Sequence, residues 1–405
     1  MIASLIGTTK MIMESLALIT AGLNQRFFLE SPINRFKGVV GHVVLVLLYK
    51  RNKGRDEIVG KRLFIKVFGD MAEYFGMFSD DYMKIDPEKE KILDGADLHC
   101  MYVCQDLSDG CNANCAYCTQ AYNSKYPRKE TFLINKYMIK YPMKKFIELI
   151  RDGFLEKKEI KRICFSALHN IQTKDNALEI FRLIRSVSAV PITACYIPDS
   201  KEVFYELKEA GVDRISVNYE VATEDLFEKY RGKYRENSPY SWAIMNQAID
   251  DALEVFGHYN VGTHLLIGLG ETQEQALREI QNIYDRKVDV SLFAFRPVPN
   301  TDLQDLQQII HRDFHKVQLA RYLMLKKVTR FENMKFNAGG EIIDYGIERH
   351  LLMELVNSGT PFRNSGGCPN CNRVYYETDV KQRYYNYPRD LYQHEIDIIK
   401  SELFD

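Results

Sequence analysis

Cys111-Asn-Ala-Asn-Cys115-Ala-Tyr-Cys118 sets three thiols in one short stretch, directly after the apolar run 98–104. Thiols this close in sequence can converge on one small inorganic group. A cubane iron–sulfur cluster normally takes four thiolates, so three leave one iron open to another ligand. A structural zinc site is the plainer alternative, but such sites close with a fourth ligand nearby. Here the next cysteine downstream is Cys164.

Outward from the triad, short β-rich runs alternate with amphipathic helices, the pattern of a parallel sheet built from βα units. Strands are expected at 98–104, 162–167, 191–196, 213–219, 260–267, 289–295 and 334–338, with a weaker eighth near 360–363. Helices are expected at 144–155, 177–186, 201–210, 241–256, 272–285 and 313–327. Eight strands would close an α/β fold of the (βα)8 TIM type, whose reactive groups sit on loops leaving the C-terminal strand ends. The triad follows the first strand, as that architecture requires.

Three segments are expected. Residues 1–97 read as an N-terminal helical cap, with apolar positions at helical spacing through Leu16, Ile19 and Leu23 and again through Phe64, Phe68, Met71, Tyr74 and Phe75. The charged connector Asp86-Pro-Glu-Lys-Glu-Lys91 closes it. Residues 98–364 form the barrel. Residues 365–405 are a Tyr-rich tail with little regular pattern, carrying Cys368-Pro-Asn-Cys371.

Composition is ordinary, with 46% hydrophobic residues, 27% charged and a net charge of −1, so bulk charge gives no argument for nucleic acid. The apolar run Val39 to Tyr49 is too short to span a bilayer and is interrupted by Gly41 and His42. The opening segment Ile2 to Leu23 carries Lys10 and Glu14, which suits an amphipathic helix better than an anchor. No membrane partner is expected. Nine cysteines without a convincing signal peptide argue for a reducing, cytoplasmic setting and for metal sites over paired bridges.

The stretch Asp109-Gly-Cys-Asn-Ala-Asn-Cys-Ala-Tyr-Cys-Thr-Gln120 resembles the radical S-adenosylmethionine (SAM) superfamily. That resemblance implies a 4Fe-4S cluster on Cys111, Cys115 and Cys118, with SAM chelating the open iron. An electron from the cluster then splits SAM to a 5′-deoxyadenosyl radical, which takes a hydrogen from an unactivated carbon. Within the superfamily, Ala210-Gly-Val-Asp-Arg-Ile-Ser-Val-Asn-Tyr-Glu220 and Val261-Gly-Thr-His-Leu-Leu-Ile-Gly-Leu-Gly-Glu-Thr272 resemble biotin synthase, and the likeness runs over roughly 98–345. It implies that Asn218 and Glu220 face the nucleoside and ribose hydroxyls, and that Tyr117 lies against the adenine. Gly268 and Gly270 would let backbone approach a ligand, with Thr272 or Glu271 capping the next helix. On the sixth strand, Arg296 could pair with the SAM carboxylate or make an ordinary salt bridge. Phe293 and Phe295 alternate to one face and suit an acyl chain or core packing.

The other six cysteines decide how the radical is used. A CxxC pair such as Cys368 and Cys371 can bind zinc, act in redox chemistry or hold half of a second cluster. Its place past the last expected strand puts it at the catalytic face. In the resemblance to biotin synthase, Cys164 and Cys195 match two ligands of that enzyme's auxiliary cluster. Its third cysteine falls on Gly262 and its arginine on Lys335, so that cluster cannot be rebuilt unchanged. Residues 100 and 104 of one strand lie roughly 13 Å apart, so one cubane is not expected to bind both. An auxiliary 4Fe-4S cluster on Cys100, Cys164, Cys368 and Cys371 is expected, with Cys104 and Cys195 in reserve.

The tail Phe362-Arg-Asn-Ser-Gly-Gly-Cys-Pro-Asn-Cys-Asn372 with Tyr385-Asn-Tyr-Pro-Arg389 resembles the two-component, archaeal-type lipoyl synthases. This implies sulfur insertion at C6 or C8 of an octanoyl chain on a lipoyl domain or H protein. The implied partners are a second radical SAM synthase and a ferredoxin or flavodoxin electron donor. Biotin synthase itself, another radical SAM maturase or mutase, and a zinc-stabilised binding module are the rival readings. Lys144-Lys145, Lys157-Lys158 and Lys161-Arg162 could steer an acidic carrier or form a solvated face.

Overall fold

The computed structural model describes residues 63–77, 98–126, 132–133, 136–363, 366–369, 371 and 383–404. The amphipathic reading of Ile2 to Leu23, the run Val39 to Tyr49 and the connector 86–91 lie outside these residues.

The centre is a nine-stranded sheet. Six strands run parallel in chain order: β2 (Cys100–Gln105), β5 (Arg162–Ser166), β6 (Ile192–Cys195), β7 (Arg214–Ser216), β8 (Val261–Ile267) and β9 (Asp289–Ala294). Helices between them make this an α/β fold of the TIM-barrel type. They are α2 (Met143–Arg151), α3 (Phe154–Lys157), α4 (Thr173–Arg185), α5 (Lys201–Glu209), α6 (Glu224–Tyr230), α7 (Trp242–Phe256) and α8 (Gln273–Asp285). The apolar stripe of α4, with Ala177, Ile180, Phe181 and Ile184 buried, lies on the sheet, and Phe181 meets Phe165 edge to face at 5.0 Å. Burying one such ring contributes about 1.5–3 kcal/mol.

Three strands extend the sheet beyond β2. β1 (Phe64–Phe68) pairs antiparallel with both β2 and β4 (Lys136–Pro142), and β3 (Phe132–Leu133) pairs with β4. The helical reading of 64–75 is therefore corrected: Phe64–Phe68 is extended, and only Gly69–Tyr74 (α1) is helical. Ile65, Val67, Phe68 and Met71 are all buried. Partners on both sides of β1 favour the strand over the local helical period.

Neither of the last two expected strands joins the parallel set. Lys335–Phe336 (β10) pairs with Ile342–Asp344 (β11) as a separate hairpin, and Thr360–Phe362 is a 3-10 turn with Pro361 inside it. A proline cannot donate to a central ladder.

Nor, among the described residues, is the chain's end irregular throughout. Helices α9 (His311–Leu325), α10 (Arg349–Asn357) and α11 (Gln393–Phe404) share a second core of Leu319, Leu323, Leu352, Val356, Phe362, Tyr387 and Ile399. Asn386 ties this unit to the sheet, donating to Leu292 O of β9 at 3.2 Å and accepting from Gln318 Nε2 at 2.8 Å.

Candidate active site and a second thiol set inside the barrel

The triad loop leaves β2 and is pinned from two sides. Ala116 N donates to Tyr230 O at the end of α6 (2.8 Å), and Asn112 N donates to His169 O in the loop after β5 (2.6 Å). Gly110, at φ +68°, makes the turn into the loop, and Asn170 Nδ2 donates to its carbonyl at 3.1 Å. Two backbone N–H groups point at sulfur: His169 N lies 3.4 Å from Cys111 Sγ and Gln120 N lies 3.4 Å from Cys118 Sγ. Such donors favour a thiolate over a thiol.

A cavity of about 240 Å³ opens over this loop. Cys111, Cys115, Cys118, Tyr117, Asn218 and Glu220 line it, so the expected triad and three of the expected SAM contacts share one site. Burial pushes the Cys115 thiol up to about 11, with the Arg231 guanidinium the main opposing influence. Cys118 is raised by burial and then by Cys115 and Cys111. Among the described residues, no three His, Cys, Asp or Glu side chains draw together as for a single metal ion.

Glu220 stands at φ +65°, a backbone conformation that costs a non-glycine residue. It is held there because its N–H donates to His264 O and its carbonyl accepts from Leu266 N, each at 2.8 Å. Asn218 Oδ1 accepts from Ser216 Oγ at 2.5 Å.

Three of the expected contacts lie apart from this cavity. Gly268, Gly270 and Arg296 are not among the residues lining the cavity. The glycines, at φ +108° and +113°, shape a turn closed by the Glu271 carboxylate, which accepts from Gly268 N (2.7 Å) and Leu269 N (3.0 Å). Thr272, rather than Glu271, caps α8, in a reciprocal box with Gln275.

Among the described residues two cations line the cavity: Lys66, paired with Asp106 at 3.3 Å, and Arg231, which the sequence reading missed. It follows α6, is buried, and donates from Nη1 to Asn218 O at 2.7 Å. Its guanidinium also lies over the Tyr240 ring at 4.7 Å. Burial opposes its charge, and the ionisable groups around it, Tyr117, Cys115, Tyr240 and Glu220, act in the opposite direction. Among the described residues its Nε has no hydrogen-bond partner. The only sequence signal was an arginine just past a short helix. Apolar side chains also line it, Leu133 and Met138 from the added strands and Ile197, Leu266 and Phe293 from the barrel, beside polar ones such as Lys66, Gln105, His169 and His264, while Phe295 is buried outside it.

The second thiol set gathers around Tyr102. Cys368 and Cys371 line a small cavity with Tyr102, Cys164, Cys195, Gly262 and Ser291. Tyr102 Oη lies 3.4 Å from Cys371 Sγ. Burial pushes the Tyr102 hydroxyl well up, and Cys100, Cys371, Cys164 and Cys368 add to it in that order. Cys164, Cys368 and Cys371 of the expected auxiliary ligands thus share this cavity, and Cys100, which does not line it, acts on the same hydroxyl through its charge. Their level in the barrel differs from the expectation, because Arg214 and Asp289, the first residues of β7 and β9, line the same cavity. The pair therefore lies in the N-terminal half of the barrel and not at its catalytic face.

Cys195 lines both cavities, with its sulfur 3.8 Å from Cys164 Sγ, and Cys104 lines only the upper one. Lys335 is elsewhere, exposed on the hairpin and paired with Asp344 at 3.0 Å. Glycines let the tail in: a Cβ on Gly367 would overlap Ser291 Oγ, and one on Gly366 would overlap the Arg321 guanidinium. Of the basic cluster, Lys144, Lys145, Lys157, Lys158 and Lys161 are exposed, but Arg162 is buried.

Residues 106–283 match the family model of the radical SAM superfamily. The match covers the triad loop and the strands after it, less than half of the chain, and a similarity to that superfamily implies SAM and a 4Fe-4S cluster. No curated protein matches the chain. Among solved structures, it is similar to HydG, a maturase of the [FeFe]-hydrogenase, at 16% identity and TM-score 0.42, covering 63% of this chain and 54% of that one. This chain thus spans about half of that structure's length. HydG from Carboxydothermus hydrogenoformans matches at 15% identity and TM-score 0.44, covering 91% and 82%. The coproporphyrinogen III oxidase HemN from Escherichia coli matches at 12% identity and TM-score 0.38, covering 72% and 65%. Among the described residues no helix is long and apolar enough to cross a membrane.

Proposed function

We propose that this chain is a sulfur-inserting radical SAM enzyme acting on an octanoyl chain carried by a protein or peptide, as one of two partner lipoyl synthases. The observation that carries the reading is the entry of Cys368 and Cys371 into the barrel, where they share a cavity with Cys164, Cys195 and Tyr102, with Cys100 on the same strand as Tyr102.

The donor set suits the groups this reading requires. Cys111, Cys115 and Cys118 would hold one 4Fe-4S cluster, with two backbone N–H groups already facing their sulfurs. Cys100, Cys164, Cys368 and Cys371 would hold an auxiliary one. When bound, SAM and the clusters would supply a radical able to take hydrogen from an unactivated carbon and the sulfur that replaces it. The remaining tasks fall to the chain's own side chains. The unpartnered Nε of Arg231 offers a charged donor for a carboxylate. Asn218 and Glu220 offer acceptors for ribose hydroxyls, and Tyr117 an aromatic face for the adenine. Leu133, Met138, Ile197, Leu266 and Phe293 form an apolar wall that suits an acyl chain and keeps water from the reacting carbon.

The partners on this reading are an octanoylated lipoyl domain or H protein, a second radical SAM synthase, and a ferredoxin or flavodoxin, in the cytoplasm. The exposed lysines of α2 and α3 would steer an acidic carrier.

The test combines iron and sulfide analysis after anaerobic reconstitution with mass spectrometry of an octanoyl-lysine peptide, and of its 8-mercapto form, after turnover. About eight irons per chain and gain of one sulfur are expected. About four irons, or deoxyadenosine formed with no sulfur gained on either peptide, would leave a radical SAM enzyme of another kind.

A further inference from the structure

We infer that Arg162 is the charge partner of the second thiol set: a positioning residue whose guanidinium donates to a sulfur there and offsets the negative charge of an iron–sulfur cluster on four thiolates. This rests on the auxiliary-cluster reading above.

Arg162 is the first residue of β5, with its Cα opposite that of Cys100 on β2. Cys164, two residues on, shares its face of the strand by alternation. The residue is 8% exposed. Nη1 donates to Thr193 Oγ1 at 3.0 Å, which aligns the group but neutralises nothing. Among the described residues Nε is fully buried with no hydrogen-bond partner, and no carboxylate makes an ion pair with Arg162. Arg214 of the same barrel is different: it is matched to Asp289 at 2.6 Å.

A buried guanidinium without a counter-charge is costly, and the fold keeps one opposite Cys100 in register and two residues from Cys164. Cys368 feels it, since the Arg162 charge opposes the upward influence of Cys371 and of burial on that thiol. Protonated thiols give no counter-charge. Four thiolates on iron leave net negative charge in either oxidation state, and N–H donors and nearby cations then set the reduction potential. A cation at this position favours the more negative, reduced form.

The experiment compares reconstituted wild type with Arg162→Met by iron content and by potentiometric titration followed by electron paramagnetic resonance. Both should hold about eight irons. At the wild-type midpoint, the ratio of reduced to oxidised auxiliary cluster should fall about tenfold in the variant, a downward shift of about 59 mV for one electron. The midpoint of the cluster on Cys111, Cys115 and Cys118 should stay in place. An auxiliary midpoint that does not move, with eight irons bound, overturns the assignment alone. About four irons in the wild type overturns the auxiliary-cluster reading and this assignment with it. Should Arg162→Met lose four irons, Arg162→Lys decides: retention of about eight supports a role for the charge, and loss of four again overturns it.

Discussion

The Tyr102 hydroxyl and the Cys371 thiol sulfur lie 3.4 Å apart, joining the first parallel strand to the tail across 269 residues of chain. Each is buried, so the contact fixes where the tail's cysteines stand. Removing the hydroxyl in Tyr102→Phe should lower the stability of the iron-free protein by about 1 kcal/mol, as for a buried hydrogen bond. Urea unfolding at equilibrium measures this, and a change below a few tenths would show that the contact does not hold the tail.

The seat of the tail is tested at Gly367. Adding a methyl there drives it into Ser291 Oγ. Gly367→Ala should reduce iron from about eight to about four per chain, while SAM cleavage by the cluster on the triad persists. The double variant Gly367→Ala with Ser291→Ala should recover part of the lost iron. Full iron in the single variant would mean that the tail does not need this close approach.

Arg231 is a buried cation in the triad's cavity, donating to Asn218 O at 2.7 Å. Arg231→Met should slow reductive cleavage of SAM by roughly 100-fold or more, the scale of losing one charged donor in a water-poor site. Arg231→Lys should recover only part, because a point charge does not reproduce the fork. Circular dichroism separates this from unfolding, and near-wild-type cleavage in a folded Met variant would remove Arg231 from the site.

Glu271 gives the pH dependence. Burial raises its carboxyl from 4.5 to about 7, although the N–H groups of Gly268, Glu271 and Leu269 pull the other way. The folded chain therefore holds a proton that the unfolded chain releases near 4.5. Stability from this group is fully present below that value and is lost as pH rises towards 7, by up to roughly 3 kcal/mol. The thermal midpoint should fall between pH 5 and 7, on the order expected from that linkage, and Glu271→Gln should flatten the fall. An equal slope in both proteins would assign it to another group.

Six parallel strands and most of their helices were legible in the sequence, because period-2 and period-3.6 patterns are local and each element buries one face. Thr272 and Ser241 were legible as helix starts for the same reason: a cap bonds the backbone three residues on. Phe64–Phe68 was not, since its spacing fits a helix equally well and only pairing with β2 and β4 makes it a strand. Nor was Arg231, whose importance comes from Asn218, Tyr240 and Cys115, all distant in sequence.

The sequence by itself determined the chemistry available: three thiols in one short stretch, a CxxC pair near the end, and a βα grammar to carry them. That information is local, fixed by residue type and spacing. Tertiary structure alone decided which thiols meet. It brought Cys368 and Cys371 to Tyr102 in the lower half of the barrel, left Cys195 between the two cavities, and buried Arg162 beside the second set. Those outcomes depend on strand register and on glycines that let two distant backbones touch. Register and close approach are properties of the packed chain, set by residues that do not neighbour one another until it folds.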